Sequence, residues 1–132
     1  MDASRLDSIP LFATLPPADK QLIASLTNTL EIATNKPVAS QHEFGYSFFA
    51  IEDGTADVLV DGEPVAQLEP GDFFGEIALL CTGRRTAAVV AVTPLRLISM
   101  FEREFRQMEL RVPEIARSLR QAAGRRLEAA RA

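Results

Sequence analysis

With 132 residues, 47% hydrophobic and 24% charged, the chain is long enough for a core of its own and too apolar for a disordered segment. A formal charge of −4 and a pI of about 5.0 argue against a general nucleic-acid surface. A lone cysteine, Cys81, excludes an intrachain disulfide; Met1-Asp2-Ala3-Ser4-Arg5 lacks the apolar stretch of a secretion signal, and no apolar run approaches a membrane span, so we expect one soluble, cytoplasmic domain over residues 1–132 that binds neither nucleic acid nor membrane.

Ser8-Ile9-Pro10-Leu11-Phe12 reads as a packed connector, because proline interrupts the apolar residues. Pro16-Pro17 suit a helix start, and Asp19 falls in the first turn, where a carboxylate complements the dipole. Leu22, Ile23, Leu26 and Leu30 repeat at helical spacing and predict an amphipathic helix over 17–29, within an N-terminal helical segment of 8–30.

From residue 30 the period changes. Strands are predicted at 30–34, 37–41, 47–51, 55–60 and 64–68, with Asp53-Gly54 and Asp61-Gly62 as hairpin turns. Short strands at even spacing indicate a β-sandwich or roll over 31–100. His42 is the single histidine, and with one cysteine it cannot supply the imidazole cluster of a metal-dependent β-helix enzyme. No nucleophile–histidine–acid arrangement surrounds it. We therefore expect no enzyme, no catalytic residue and no metal.

The informative stretch runs from Pro70 to Val92. Pro70-Gly71 is a turn, Gly75 to Leu80 a helix of two turns at most, Thr82-Gly83 its end, and Thr86 to Val92 a buried strand. So short a helix is marginal by itself, but its first turn offers unpaired amides aimed one way, which suit an anion. Arg85, nine residues past Glu76, can fold back over the helix start, and its guanidinium fork matches two phosphate oxygens. Glu76 accepts hydrogen bonds only, so it suits a sugar hydroxyl pair and repels a phosphate. Gly75 lets a ligand approach the backbone closely. These groups together fit a nucleotide with a phosphate and a free 2′-hydroxyl; the plainer alternative is that Glu76 and Arg85 pair with each other.

After Thr93-Pro94, Leu95 to Met100 is the last predicted strand, and a helix over 101–110 places Phe101, Phe105 and Met108 on one face. Pro113 and Glu114 suit the first turn of a final helix striped by Ile115, Leu119, Ala122, Ala123 and Leu127. Residues 111–132 carry six arginines against two glutamates, a basic face that is solvated by default.

Phe74-Gly75-Glu76-Ile77-Ala78-Leu79, followed by Arg85-Thr86-Ala87-Ala88-Val89, resembles the phosphate-binding cassette of cyclic nucleotide-binding domains, here spanning 71–89. The Glu-to-Arg spacing is the usual one. Arg84 stands where proline is frequent and Ala88 where threonine or serine is frequent; neither removes a ligand-contacting group. Ile9-Pro10-Leu11-Phe12 resembles the opening helix of the family, Gly45 to Gly54 its paired strand with a glycine turn, and Val112 to Ala116 the start of the last helix in bacterial channel domains.

The resemblance implies a mainly β fold with flanking helices: a jelly-roll-like β-roll (double-stranded β-helix) with an N-terminal helix, a short phosphate-binding helix and C-terminal lid helices over 101–132. It implies a 3′,5′-cyclic nucleotide, cAMP or cGMP, as ligand and no further cofactor, and we expect cAMP to bind at least as well as cGMP. Phe74, Gly75, Glu76, Ile77, Ala78, Arg85, Thr86 and Ala87 would form the site. Glu76 would accept from the ribose 2′-hydroxyl, and Arg85 and the Ile77 and Ala78 amides would hold the phosphate. Thr86 would reach the phosphate or a syn guanine. Arg126, or equally Arg125, would pack on the purine when the last helix closes. The implied output is motion of the C-terminal helices, read by an effector protein or domain or by a homodimer formed through those helices. The alternatives are a degenerate interaction module that binds no nucleotide, and a truncated DNA-binding regulator of the catabolite-activator type, against which the acidic charge argues.

Overall fold

The computed structural model describes residues 1–39 and 46–131. A 3-10 helix (Ala3–Ser8) leads into α1 (Pro10–Ala13) and α2 (Pro17–Ser25), then β1 (Asn28–Ile32), β2 (Pro37–Ala39), β3 (Ser47–Asp53), β4 (Ala56–Val60), β5 (Glu63–Leu68) and β6 (Phe73–Phe74). A π-helical turn (Ala78–Thr82) precedes β7 (Ala88–Ala91), β8 (Leu95–Phe101), α3 (Glu102–Arg111) and α4 (Pro113–Arg131). The strands form two four-stranded antiparallel sheets, ordered β1-β8-β3-β6 and β2-β7-β4-β5. This is the expected mainly β fold with helices at both ends.

Within the first sheet β3 is buried on both faces, which explains why it reads as a continuous apolar run rather than an alternating one. Phe49 and Ile51 face the second sheet and pack with Leu97, Phe74, Val89 and Ala91. Their neighbours Phe48 and Ala50 face the helices and pack with Met100, Phe105, Met108, Ile115 and Leu119. Phe48 sits with its ring centroid 5.6 Å from that of Phe105 and 5.8 Å from that of Phe73, tying α3 to the centre of the sheet. Burying each such ring stabilises the fold by roughly 1.5–3 kcal/mol. The helical layer is therefore part of the core.

At Asp61-Gly62 both residues have positive φ (52° and 81°), the geometry of a type I′ hairpin turn, as the sequence predicts.

Several elements differ from the sequence reading. Pro10 occupies the first position of the one-turn helix α1, so that segment is helical rather than a plain connector. Helix α2 ends at Ser25, not near 29, because the Thr27 hydroxyl bonds the Ala24 carbonyl and Asn28 to Ile32 are drawn into pairing with β8. Leu30 is consequently a half-exposed strand residue opposite Leu97. Phe101 ends β8 and is 60% exposed, so it does not share the buried face of Phe105 and Met108. The two-residue strand β6 is too short to carry a period in the sequence. The expected strand end at Gln41, together with His42 and Gly45, lies outside the described residues, as does the side chain of Leu127. Among the described residues no helix is long and apolar enough to cross a membrane.

Candidate nucleotide site

Gly75 makes the turn from β6 into the short helix. Its φ is +98°, and a side chain there would place Cβ 2.6 Å from the Ser47 carbonyl and 2.7 Å from Arg85 Nη1. The space a Cβ would fill is thus taken by the arginine, beyond the close ligand approach expected of this glycine. The chain is helical from Glu76, and the Leu79 N–H makes the first helical bond, to Gly75 O at 3.4 Å. The amides of Glu76, Ile77 and Ala78 precede it in the first turn, where no helical carbonyl is within reach.

The helix does not continue as an α-helix. The Gly83 N–H donates to Ala78 O at 2.7 Å, closing a π turn, and Gly83 (φ +70°) ends it. The chain then returns along the cavity, carrying Arg85, Thr86 and Ala87 back past the helix start before β7 begins at Ala88. Thr86 and Ala87 therefore precede the strand instead of opening it.

Arg85 is fixed from outside the cassette: Nη2 donates to Ser47 O (2.8 Å), Nη1 to Gly75 O (3.3 Å), and the guanidinium lies 5.7 Å from the Phe49 ring centroid. Glu76 is fully buried, and its ion-pair partner is Arg126 rather than Arg85. Arg126 Nη1 donates to Glu76 Oε1 at 2.5 Å, Nη2 donates to Phe73 O at 3.0 Å, and its guanidinium lies 4.9 Å from the Phe73 ring centroid. Among the described residues Glu76 Oε2 has no partner. A buried acceptor left so is costly unless something donates to it.

Burial, above all, pushes the Glu76 carboxyl above its usual range, against the pull of Arg126, of its own backbone amide and of Arg85. Burial likewise pulls the Arg85 guanidinium down, opposed by Glu76; a guanidinium has so high a starting value that it stays charged.

These groups border a cavity of about 620 Å³, a size common for small-ligand sites. All nine residues singled out in the sequence line it: Phe74 to Ala78, Arg85 to Ala87, and Arg126. Arg125, the equal alternative in the sequence, is exposed and is absent from the lining. The opposite wall, Val58, Val60, Val65, Ala66 and Leu68 of the β4–β5 hairpin, was missed as a site feature. Its signal was the apolar content of a hairpin that the sandwich core leaves partly uncovered, with Val65 59% exposed. Ser47 and Phe73, which hold the two arginines through backbone carbonyls, carried no signal, since any residue presents a carbonyl. The cavity is therefore apolar on one side. On the other it offers a guanidinium beside helix-start amides and a buried carboxylate acceptor.

The cyclic nucleotide-binding domain model matches residues 29–111, and the chain belongs to that family. A cAMP-dependent protein kinase regulatory subunit from Colletotrichum orbiculare is 35% identical over 105 residues, covering 78% of this chain but 27% of that protein. The chain thus spans about a quarter of that relative's length. The catabolite activator protein of Thermus thermophilus superposes with a TM-score of 0.80 at 30% identity, over 92% of this chain and 59% of that one. The regulatory subunit of a cAMP-independent protein kinase A from Trypanosoma brucei superposes at 0.82, with 22% identity, over 92% of this chain and 44% of that one. The fold is thus shared with a protein described as cAMP-independent, so the ligand has to be argued from the site.

Proposed function

We propose that the chain is a receptor module for a 3′,5′-cyclic purine nucleotide, binding cAMP at least as well as cGMP, and that its role is recognition rather than catalysis. The observation that carries the reading is the fully buried Glu76 with Oε2 unpartnered among the described residues, lining one cavity with Arg85 and the first-turn amides. A carboxylate in that setting takes a hydroxyl donor, and the ribose 2′-hydroxyl of a cyclic nucleotide sits beside a phosphate that suits the amides of Ile77 and Ala78 and the Arg85 fork. The purine would lie along the valine wall, with Thr86 as a polar group near it. Family membership and the regulatory-subunit relative support the same reading.

Arg126 then has a part beyond packing on a base. By holding Glu76 Oε1 it leaves Oε2 for the ligand and ties α4 to the ribose subsite. Ligand occupancy shifts the equilibrium of α4 between closed and released positions, which an effector domain or a second copy reads. The test is a cycle of Glu76→Gln against 2′-deoxy-cAMP. We expect 2′-deoxy-cAMP to lose affinity on the wild type and little more on the variant. Full additivity of the two losses would mean that Glu76 does not contact the 2′-hydroxyl.

A further inference from the structure

The π turn of the cassette leaves a carbonyl that a regular helix would have used. In an α-helix the Gly83 N–H would take Leu79 O; here it takes Ala78 O at 2.7 Å. The released Leu79 carbonyl accepts a 2.5 Å bond from Arg106 Nη2 on α3. Nη1 of the same guanidinium donates to Glu109 Oε1 at 2.7 Å, and the other oxygen of Glu109 accepts from Arg120 Nη2 on α4 at 3.2 Å. An unbroken polar chain therefore runs from the helical turn of the cassette through α3 to α4: Leu79 carbonyl, Arg106, Glu109, Arg120. The Glu109 side chain is only 9% exposed, so this hub is shielded even though Arg106 and Arg120 keep 44% and 63% of their surface in solvent.

We propose that Arg106 is a positioning residue for the phosphate-binding turn, holding residues 78–83 in the π register, and that Glu109 and Arg120 make that register depend on the placement of α4. The element has two discrete arrangements. In one, Gly83 bonds Ala78 and Arg106 bonds Leu79; in the other, Gly83 bonds Leu79 and Arg106 loses its acceptor. Changing between them rotates the first-turn amides relative to Arg85, so the register sets how well amides and guanidinium converge on one anion. This coupling is separate from the Arg126–Glu76 contact: it reaches α4 from the far end of the short helix and touches no cavity-lining side chain. Its effect on binding rests on the cyclic nucleotide reading; its structural part does not.

The test uses the whole chain labelled with 15N, following the Gly83 amide resonance and its hydrogen exchange, with 3′,5′-cAMP affinity measured in parallel on Arg106→Gln, Arg106→Lys, Glu109→Gln and Arg120→Gln. Arg106→Gln is expected to shift the Gly83 amide, speed its exchange and change the cAMP dissociation constant by fivefold or more, with Arg106→Lys restoring most of the wild-type behaviour. Arg120→Gln alters an exposed side chain that a merely local role would leave silent, and it too is expected to move the Gly83 resonance, in the same direction as Glu109→Gln. An unchanged Gly83 amide in folded Glu109→Gln and Arg120→Gln overturns the coupling. Failure of the wild type to bind cAMP overturns the functional reading instead, because the Gly83 amide reports the register without ligand.

Discussion

Arg126 of α4 and Glu76 of the turn after β6, fifty residues apart, form an ion pair at 2.5 Å in which the carboxylate is fully buried while the guanidinium keeps 38% of its side-chain surface in solvent. The pair links the last helix directly to the carboxylate assigned to the ribose. Arg126→Gln is expected to weaken cAMP binding by about 1 kcal/mol, a charged hydrogen bond discounted for partial exposure. It should also speed hydrogen exchange in α4. The exposed neighbour Arg125, changed to Gln, should do neither; equal losses from the two variants would assign the effect to general charge.

The same burial makes Glu76 a source of pH-dependent instability. Its carboxyl is raised above the usual range, chiefly by desolvation. A group whose folded-state pKa lies above its unfolded value stabilises the fold when protonated, and that contribution is lost as pH rises through the folded value. Once pH exceeds the raised folded-state value, the wild type carries an ionised Glu76 at a net cost that Glu76→Gln removes. The variant is expected to melt higher than wild type at pH 7, with the difference closing as pH falls to the ordinary carboxylate range. A lower melting temperature for the variant at pH 7 would show that the Arg126 pair outweighs desolvation.

Gly75 joins stability to binding. A methyl group there meets the Ser47 carbonyl and Arg85 at contact-breaking distances, on a backbone with φ of +98°. Gly75→Ala is expected to lower stability by roughly 1–3 kcal/mol, the range for a non-glycine residue forced into such backbone. Because Arg85 is displaced, cAMP affinity should fall with it. Urea denaturation within about 0.5 kcal/mol of wild type, the range of an ordinary surface change, would contradict the assigned crowding.

Thr86 lines the cavity just before β7. Its hydroxyl can accept from a guanine 2-amino group in a syn pose, a group adenine lacks. Thr86→Ala is accordingly expected to weaken cGMP more than cAMP, by about 0.5–1.5 kcal/mol. Competition titrations of both nucleotides on wild type and variant measure this. A wild-type preference for cGMP of tenfold or more, about 1.4 kcal/mol, would mean that the threonine decides the base.

How much of this the sequence shows depends on the reach of each contact. Phe74 to Ala78 and Arg85 to Ala87 are legible because turn, helix start and returning strand lie within one short stretch, where residue order nearly determines geometry. Arg126 was reached by resemblance, with Arg125 equally open; only helix phase, fixed by packing of Ile115 and Leu119 under α4, separates the two. The bonds of Arg85 to the Ser47 carbonyl and of Arg106 to the Leu79 carbonyl have no side-chain signature at the acceptor. The π register was hidden for a related reason: the same residues suit a two-turn α-helix, and the choice of Ala78 over Leu79 as acceptor for the Gly83 amide has no side-chain signature. The early end of α2 and the exposure of Phe101 are not legible because helical spacing continues past the point where pairing with β8 and β3 takes over.

The central claim, that Arg85 and the cassette turn hold a cyclic phosphate, is tested most directly by calorimetric titration of 3′,5′-cAMP into wild type, Arg85→Ala and Arg84→Ala. We expect saturable binding with one nucleotide per chain on the wild type. Arg85→Ala should lose at least about 2 kcal/mol, as when one partner of a desolvated charge pair is truncated, and Arg84→Ala should stay near wild type. Absence of binding by the wild type, or retention of full affinity by Arg85→Ala, would contradict the account.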